Sequence, residues 1–437
     1  MKTDRLISTL ARVALVAVVL AVLAVPVAGC STDSNGGGDT DTDTDSDTDT
    51  DTDTDTDTDT DSDTDTDTDT NTDTDADSGT DGGADTDSDT DSDGECEGYV
   101  VEFADANLEA VVREEIGEET GILCSEDLAG IETLNAELSD IIDLDGIQAL
   151  VSLASLHLRG NQIADLSPLA GLTSLTQLLV SSNQIVDLTP LSGLSSLLYV
   201  SFSYNDISDV TPLAGLTSLQ YVGLSNNDIS DVTPLAGLTA LTQLGVSYNQ
   251  VVDLTPLAGL TSLYALYLAA NQITDVAPLA GLTSLQYVGL SYNDISDVTP
   301  LADLTSLINV YLDANEISDL VPLSDLTSVT ILNLSYNQID DLAPLAGLTS
   351  LHNLDLPANQ ITDLGPLAGL TSLHYLGLAA NQITDLGPLV ENTGLGAGDG
   401  LSLADNAVDE VAQAGNIAAL CDRGVWVNPY CPDPDWF

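Results

Sequence analysis

The 437-residue chain carries 71 acidic and only 6 basic side chains, which gives it a formal net charge of -65. Such a charge repels the phosphate backbone of nucleic acids, so it excludes them as partners, and it favours solubility. The acidic residues are unevenly distributed, and the segments of the chain therefore differ in class.

Residues 1–29 have the pattern of a targeting segment. A basic start precedes an apolar run at residues 13–25, which is short for a membrane span. The run ends in Val-Ala-Gly-Cys, and this box resembles the signal of bacterial lipoproteins. The resemblance implies cleavage before Cys30, a lipid on Cys30 and, because Ser31 follows, anchoring at the outer membrane. The alternative is an ordinary secretory signal with a chance cysteine.

Residues 30–95 form a low-complexity segment of Asp-Thr dipeptides. It contains 27 acidic residues and no Lys, Arg, aromatic or large aliphatic residue. Such a composition offers no apolar area to bury, so we expect a disordered, extended stalk. Two alternatives remain open, namely diffuse calcium binding by the carboxylates and O-glycosylation of the many Thr residues. A defined calcium loop is not present in this segment.

Residues 96–137 are predicted to form an N-terminal cap. Apolar residues follow helical spacing from Leu108 to Ile116, and Asp105 stands just ahead of them as a candidate N-cap. The following residues are repetitive, and an array of repeats needs its first core layer covered. We expect this helix to cover it.

Residues 138–406 repeat with a period of 22. An Asn recurs eleven times at that spacing from Asn161 to Asn381, with an Asp four residues later and a Pro seven residues later. Each unit reads L-x-x-L-x-L-x-x-N-x-I-x-D-L-x-P-L-x-x-L, which is typical of a leucine-rich-repeat solenoid. A degenerate unit precedes the regular ones, with Ser139 in place of the Asn.

The chemistry of one unit predicts an α/β fold, a curved right-handed solenoid. Residues before the Asn alternate between apolar and small polar, so stacked strands should form a parallel sheet on the concave face. The Asn amide can bond backbone groups at the turn, and we expect a buried Asn ladder. On the convex face, Asp297 is expected to cap a short 3-10 turn that contains Pro300. Six or seven apolar side chains per unit should form the core.

The spacing changes after Asn381, and residues 407–437 are predicted to form a helical C-terminal cap. Asn406 arrives 25 residues later, in a last irregular repeat. A helix is predicted over residues 409–420 and a short strand over residues 425–427.

The five cysteines fit this division of the chain. With Cys30 assigned to the lipid, two remain before the repeats and two after them. Three pairings are possible, but a bond between the two ends would have to span the solenoid. In an exported protein we therefore expect the disulfides Cys96–Cys124 and Cys421–Cys431. The same distance excludes a zinc site built from all four.

The repeat core N-x-I-x-D-L-x-P-L resembles the 22-residue repeats of bacterial internalin-like surface proteins. The similarity extends from Phe103 to Val427, and its first part resembles the helical cap of bacterial repeat lipoproteins. The resemblance implies that the concave sheet binds a protein or glycan partner. We find no immunoglobulin-like module after the repeats and no cell-wall sorting signal, so a role in host-cell invasion is not implied.

Tyrosine is concentrated on the predicted concave face. Outward strand positions lie six, four and two residues before each Asn, and the residue just before the Asn lies at the rim. Tyrosines occupy strand positions at Tyr199, Tyr221, Tyr267, Tyr287, Tyr311 and Tyr375, and rim positions at Tyr204, Tyr248, Tyr292 and Tyr336. Among Ser and Gly, these rings resemble an antibody paratope. The alternative is that Tyr only satisfies β-propensity in duplicated units.

Catalytic chemistry has little support in the sequence. His352 and His374 occupy one column of adjacent units, about 5 Å apart, with Asp355 nearby, but surface residues explain them better than a metal site. His157 and Arg159 share the first full unit and suggest only an edge contact. We find no nucleophile motif and no phosphate loop. We therefore expect no enzyme activity, cofactor or metal.

The sequence thus predicts an exported, lipid-anchored, monomeric protein on the surface or periplasmic side of the envelope. It would bind a protein or glycan through its Tyr-rich concave face and touch the membrane through the lipid alone. The alternative is a passive acidic coat without a specific ligand, whose weak attachment to cations would be sensitive to salt.

Overall fold

The computed structural model of the protein describes Cys96 and residues 98–431. The predicted signal segment, the acidic stalk and the lipid on Cys30 lie outside these residues. Within the described part of the chain, no helix is long and apolar enough to cross a membrane.

In the described residues, fourteen short strands form one parallel sheet, and each strand pairs with the next along the chain. The strands are β1 (Thr133–Asn135), β2 (Ser155–His157), β3 (Gln177–Leu179), β4 (Tyr199–Ser201), β5 (Tyr221–Gly223), β6 (Gln243–Gly245), β7 (Ala265–Tyr267), β8 (Tyr287–Gly289), β9 (Asn309–Tyr311), β10 (Ile331–Asn333), β11 (Asn353–Asp355), β12 (Tyr375–Gly377), β13 (Gly400–Ser402) and β14 (Trp426–Asn428). The sequential order confirms the leucine-rich-repeat solenoid, with the sheet starting at Thr133.

Short helices connect the strands on the other side of each unit. The α-helices are α1 (Ala106–Ile116), α2 (Ser125–Leu128), α3 (Gly387–Glu391) and α4 (Ala414–Asp422). The 3-10 helices cover Ile147–Ala149, Ser167–Leu169, Thr189–Leu191, Thr211–Leu213, Thr233–Leu235, Thr255–Leu257, Ala277–Leu279, Thr299–Leu301, Val321–Leu323, Ala343–Gly347 and Gly365–Leu367. Pro occupies the second position of the regular ones, where its fixed φ and missing N–H cost nothing.

The core lies between the sheet and the 3-10 helices. In the unit around Asn293, seven apolar side chains are at most 1% exposed: Leu285, Val288, Leu290, Ile295, Val298, Leu301 and Leu304. Each fully buried aliphatic side chain contributes roughly 1.5–3 kcal/mol. No unit can bury its own set alone, so the stacking of neighbours holds the fold together.

The Asn ladder has the predicted chemistry. The Asn293 Nδ2 group donates to the carbonyls of Leu290 in its own unit at 3.0 Å and of Leu268 in the preceding unit at 3.1 Å. Its Oδ1 accepts from the N–H of Ile273, also in the preceding unit, at 3.0 Å. Equivalent bonds recur up to Asn406, despite its irregular spacing. Each unit is therefore fastened by the Asn of the unit that follows.

The Asp column shapes the start of each 3-10 helix. Asp297 Oδ1 accepts from the Thr299 N–H at 2.8 Å, and the corresponding bond recurs in all regular units. The Thr299 hydroxyl and then its N–H hold the pKa of Asp297 below 3.8. The predicted capping role of this Asp is confirmed.

Helix α1 closes the N-terminal end of the core. Leu108 and Val112 are fully buried, and Asp105 is the N-cap, as predicted. Asp105 Oδ1 accepts from the N–H groups of Asn107 and Leu108, while Oδ2 accepts from that of Ile142 at 2.7 Å. The sequence did not predict this second set of bonds, which ties the cap to the first turn of the repeats.

The C-terminal helix begins later than predicted. Residues 409–420 were expected to be helical, whereas α4 starts at Ala414. The Gln413 side chain explains the difference, since its Oε1 accepts from the Leu386 N–H at 3.1 Å and from Asn416. The preceding unit thus fixes Gln413 at the helix start, and Asp409 instead bonds the turn before it.

Both ends of the solenoid carry a disulfide. Cys96 is bonded to Cys124 with a Cα–Cα distance of 5.4 Å, and Cys421 to Cys431 with one of 6.1 Å. The latter bond links α4 to the chain after β14, so each disulfide closes one cap.

Candidate functional site

The outward face of the sheet, here the sheet face, comprises the positions six, four and two residues before each Asn. In β8 and its continuation, Val288 and Leu290 are fully buried, whereas Tyr287 is only half-buried. This alternation is the one that the sequence predicts for the strands.

Six tyrosines on or beside β4–β9 lie near one another on the sheet face, and we call them the tyrosine patch. Its members are Tyr199, Tyr221, Tyr264, Tyr267, Tyr287 and Tyr311. Burial, and then the proximity of Tyr264, Tyr287, Tyr311 and Tyr221, raise the pKa of Tyr267 to about 12. The rings of four units therefore share one environment.

Tyr264 is the member of the patch that the sequence analysis missed. It lies seven residues before Asn271, where strict alternation would point inward. Because β7 begins only at Ala265, Tyr264 precedes the strand and is free of that alternation. It is half-buried beside Gln243, whose Nε2 donates to its hydroxyl. The available signal was the column of Tyr264, which holds polar residues in other units, such as Gln220 and Gln286.

Glycines in the next column allow the rings to lie against the sheet. A Cβ on Gly223 would stand 2.9 Å from the hydroxyl of Tyr221, which bonds Ser201. A Cβ on Gly289 would stand 3.4 Å from the ring of Tyr267. The rings thus cover the backbone rather than project freely from it, and the patch has a prearranged surface.

Exposure differs between the strand and rim tyrosines. Among the tyrosines at strand positions, Tyr199 is the most exposed, at 42%, and its hydroxyl donates to Gln220 at 3.0 Å. At the rim, Tyr204, Tyr292 and Tyr336 are exposed. These three rings supply the accessible aromatic edge of the face.

The rim residues adopt left-handed backbone conformation. Tyr204, Tyr248, Tyr292 and Tyr336 have φ between 55° and 59°. Ala and Asn take the same conformation at this position in other units, while Gly160 takes it in the first. The turn therefore dictates the strain, which costs a residue with a Cβ about 1–2 kcal/mol.

Two carboxylates interrupt the polar columns of the sheet face, and one of them, Asp313, was not among the predicted site residues. Asp313 takes a column that holds mainly Ser and Ala, and it accepts a 2.5 Å bond from the Ser291 hydroxyl. Burial raises the pKa of Asp313. Burial and then the charge of Asp313 raise the pKa of Asp355 to about 6, although Tyr375 bonds it. A charge in an outward column was the signal that could have found both.

The paired histidines do not gather ligands. The rings of His352 and His374 are 5.4 Å apart, close to the predicted distance. His374 Nδ1 lies 2.9 Å from Asp399 rather than from Asp355, and Asp399 also accepts from the Gly396 N–H. Among the described residues, neither histidine belongs to a group of three close metal-binding side chains. His374 therefore contacts the C-terminal loop.

His157 and Arg159, which the sequence suggests as an edge contact, lie apart from the tyrosine patch. His157 Nε2 lies 3.2 Å from the Ser155 hydroxyl, within the same strand, while Arg159 is exposed. These residues stand on β2 and just after it, two strands before Tyr199 begins the patch.

Comparison with known proteins gives the family. A model for two copies of leucine-rich repeats matches residues 151–193 and 349–391, and a single-repeat model matches residues 325–342. An internalin (InlF) of Listeria monocytogenes is 35% identical with a TM-score of 0.70, and the alignment covers 75% of this chain and 95% of that one. The chain belongs to the internalin-like leucine-rich-repeat family. No curated protein sequence matches it.

Two further solved structures set this internalin-like chain in context. The functional domain of Listeria monocytogenes InlJ, which includes a cysteine ladder, is 26% identical with a TM-score of 0.56, covering 74% of this chain and 79% of that one. In the present chain, no cysteine lies between Cys124 and Cys421. A leucine-rich-repeat protein of Leptospira interrogans shares the fold at 19% identity and a TM-score of 0.54, covering 70% of this chain and 97% of that one.

Proposed function

We propose that this internalin-like chain is an adhesin- or receptor-like interaction protein that holds a protein or glycan partner on its tyrosine patch. The supporting observation is the proximity of six tyrosines on or beside β4–β9, two of which lie against glycines of the same face. Rigid aromatic rings with polar tips give large contact area at a small loss of side-chain entropy.

The size of the patch fits a specific contact. A Tyr side chain contributes on the order of 150–250 Å² when fully buried, and these rings are already partly covered. With the rim tyrosines included, the accessible area is a few hundred Å², a large part of the roughly 800 Å² that each partner contributes to a standard interface. Polar residues in the same columns can supply the polar periphery that surrounds the apolar centre of such an interface.

Lipid anchoring at the outer membrane and the absence of catalysis belong to the same proposal. The lipoprotein-like box before Cys30 supports the anchor, which would place the interaction module outside the cytoplasm. The two disulfides also favour an oxidising compartment.

The test is a paired pull-down from envelope and medium proteins and glycans. The full chain is compared with a variant in which Tyr221, Tyr267 and Tyr287 are replaced by Ala. We expect the wild type to retain a species that the variant loses, at both low and high salt, because uncharged contacts are little screened.

A matched control separates loss of the face from loss of stability. Val186, Val252 and Val321 are 57%, 53% and 63% exposed and lie outside the strands. Their triple replacement by Ala should leave retention unchanged, and circular dichroism should show folded protein for both variants. Equal retention by the Tyr variant would contradict the proposal, and equal retention by both proteins that salt abolishes would favour the acidic coat.

A further inference from the structure

The C-terminal part of the sheet face combines rings with charge. We call Tyr311, Asp313, Asp355 and Tyr375 the acidic–aromatic patch. Tyr311 and Asp313 stand two residues apart on β9 and its continuation, while Asp355 ends β11 and Tyr375 begins β12. The patch adjoins the tyrosine patch and shares Tyr311 with it.

The two carboxylates are partly buried within the sheet face rather than exposed at its edge. Asp313 and Asp355 are half-buried, in contrast to the exposed Asp column of the turns. A Cβ on Gly377, the strand neighbour of Asp355, would stand 2.6 Å from the Asp355 carboxylate. The missing side chain leaves room for that carboxylate, and the Tyr375 hydroxyl bonds it from the same strand as Gly377.

The described part of the chain supplies no basic partner to either carboxylate. It contains no Lys and three Arg residues. Arg113 pairs with Glu109 in α1, Arg423 donates to carbonyls beside α3, and Arg159 lies just after β2, seven strands before β9. Partial burial of an unpaired carboxylate costs free energy, and an opposite charge would recover it.

Both charges also reach the same ring. Burial raises the pKa of Tyr311, and the charges of Asp313 and Asp355 raise it further. On strand spacing, the carboxylates are roughly 10–12 Å apart, since they lie two units and two strand positions from each other. Tyr311 is the aromatic surface common to the two acids.

Resting on the proposed function, we propose that the partner is a protein that presents arginine side chains to the acidic–aromatic patch. A guanidinium is planar, donates two parallel hydrogen bonds to a carboxylate and stacks on an aromatic ring. Half-buried Asp313 and Asp355 beside Tyr311 and Tyr375 offer both kinds of contact. An uncharged glycan could use the rings but would leave the two carboxylates unpaired. The occupant that fits this charge is therefore a basic protein segment.

The test uses the full chain and fluorescein-labelled 14-residue peptides of Gly and Ser that carry two Arg residues two to seven positions apart. Matched peptides carry citrulline, which keeps the shape and removes the charge. The Asp313→Asn/Asp355→Asn variant is compared with the Asp294→Asn/Asp340→Asn control. The control removes two exposed carboxylates from units next to those of Asp313 and Asp355. Both variants have the same net charge, so attraction to the acidic chain as a whole cancels.

We expect at least one Arg spacing to bind wild type and the Asp294→Asn/Asp340→Asn control with Kd values within twofold, and the Asp313→Asn/Asp355→Asn variant at least tenfold more weakly. The citrulline peptide should not bind. Equal weakening by both variants, or no Arg peptide binding better than its citrulline counterpart, would overturn the inference. Thermal unfolding checks that each variant is folded. We expect the Asp313→Asn/Asp355→Asn variant to be folded, because Asn matches Asp in shape and removes a half-buried charge.

The outcome can be separated from that of the proposed function. In the pull-down, a species lost by the triple Tyr variant but kept by Asp313→Asn/Asp355→Asn would sustain the tyrosine patch and refute the arginine contact. A species lost by both variants would support both. Retention by both variants would contradict both.

Discussion

Asn293 shows what one side chain does for two units at once. It is 7% exposed and bonds one N–H and one carbonyl of the preceding unit as well as two carbonyls of its own. Replacement by Ala would leave these backbone groups without partners in a buried turn. We expect Asn293→Ala to lower the free energy of unfolding by about 3 kcal/mol or more, measured by urea denaturation.

A neighbouring position supplies the control for this experiment. Gln272 is exposed and follows the equivalent Asn of the preceding unit. Gln272→Ala should change the free energy of unfolding by less than about 0.5 kcal/mol. Equal stabilities of the Asn293 and Gln272 variants would show that the ladder contributes little.

Asp355 should make stability depend on pH in an unusual direction for a carboxylate. Its pKa is raised from 3.8 to about 6, mainly by burial and then by Asp313, so the folded state holds the proton more tightly than the unfolded chain. Stability from this group is therefore full below pH 3.8, falls as pH rises, and is lost above about pH 6. Asp355→Asn should raise Tm more at pH 7.5 than at pH 4.5.

The exposed Asp294 is the reference for this pH series. Asp294→Asn should shift Tm by a similar small amount at both pH values. A gain in Tm from Asp355→Asn that does not change between pH 4.5 and pH 7.5 would contradict the role assigned to its burial.

At the scale of elements, helix α1 depends on one residue for its place. Asp105 caps the helix through Oδ1 and holds the first repeat turn through Oδ2. Burial raises its pKa, but four backbone N–H donors together lower it below 3.8. Asp105→Ala should cost about 2 kcal/mol of stability, at the upper end for an N-cap, because bonds to a second element are also lost.

Two comparison variants, Asp105→Asn and Glu114→Ala, test the role of the Asp105 carboxylate. Asp105→Asn keeps one acceptor oxygen, so it should lose less stability than Asp105→Ala at pH 7 in thermal unfolding. Glu114→Ala, on the exposed side of the same helix, should be close to neutral. An Asp105→Ala variant as stable as the Glu114 variant would refute the link between cap and repeats.

The elements also show where sequence reasoning stops. The period of 22 predicts the sheet, the 3-10 helices, the Asn ladder and the Asp caps, because each depends on contacts at a fixed distance along the chain. The predicted start of α4 was wrong because the Leu386 N–H donates to the Gln413 side chain, and no periodicity in the sequence encodes that contact. The second set of bonds from Asp105 was missed for the same reason.

At the scale of the whole molecule, the candidate site was predictable only in part. The column rule places the strand and rim tyrosines, but it says nothing of how a ring lies. Tyr221 rests beside Gly223 because a glycine of its own strand leaves room. The columns of Tyr264 and Asp313 could have drawn attention to them, but how far neighbouring units bury these side chains emerges only when the units are stacked. Their roles in binding stay predictions.

The bonds of the ladder have a polarity with a consequence for chain length. The Asn of each unit bonds backbone groups of the preceding unit, and the Asn of the next unit does the same in turn. Excision of any 22 residues from the regular array therefore leaves no backbone group of the ladder without its partner. Recombination between near-identical modules would then lengthen or shorten the array in increments of about 5 Å without new chemistry. The gene could thus vary the reach of its product while the caps and their disulfides stay unaltered.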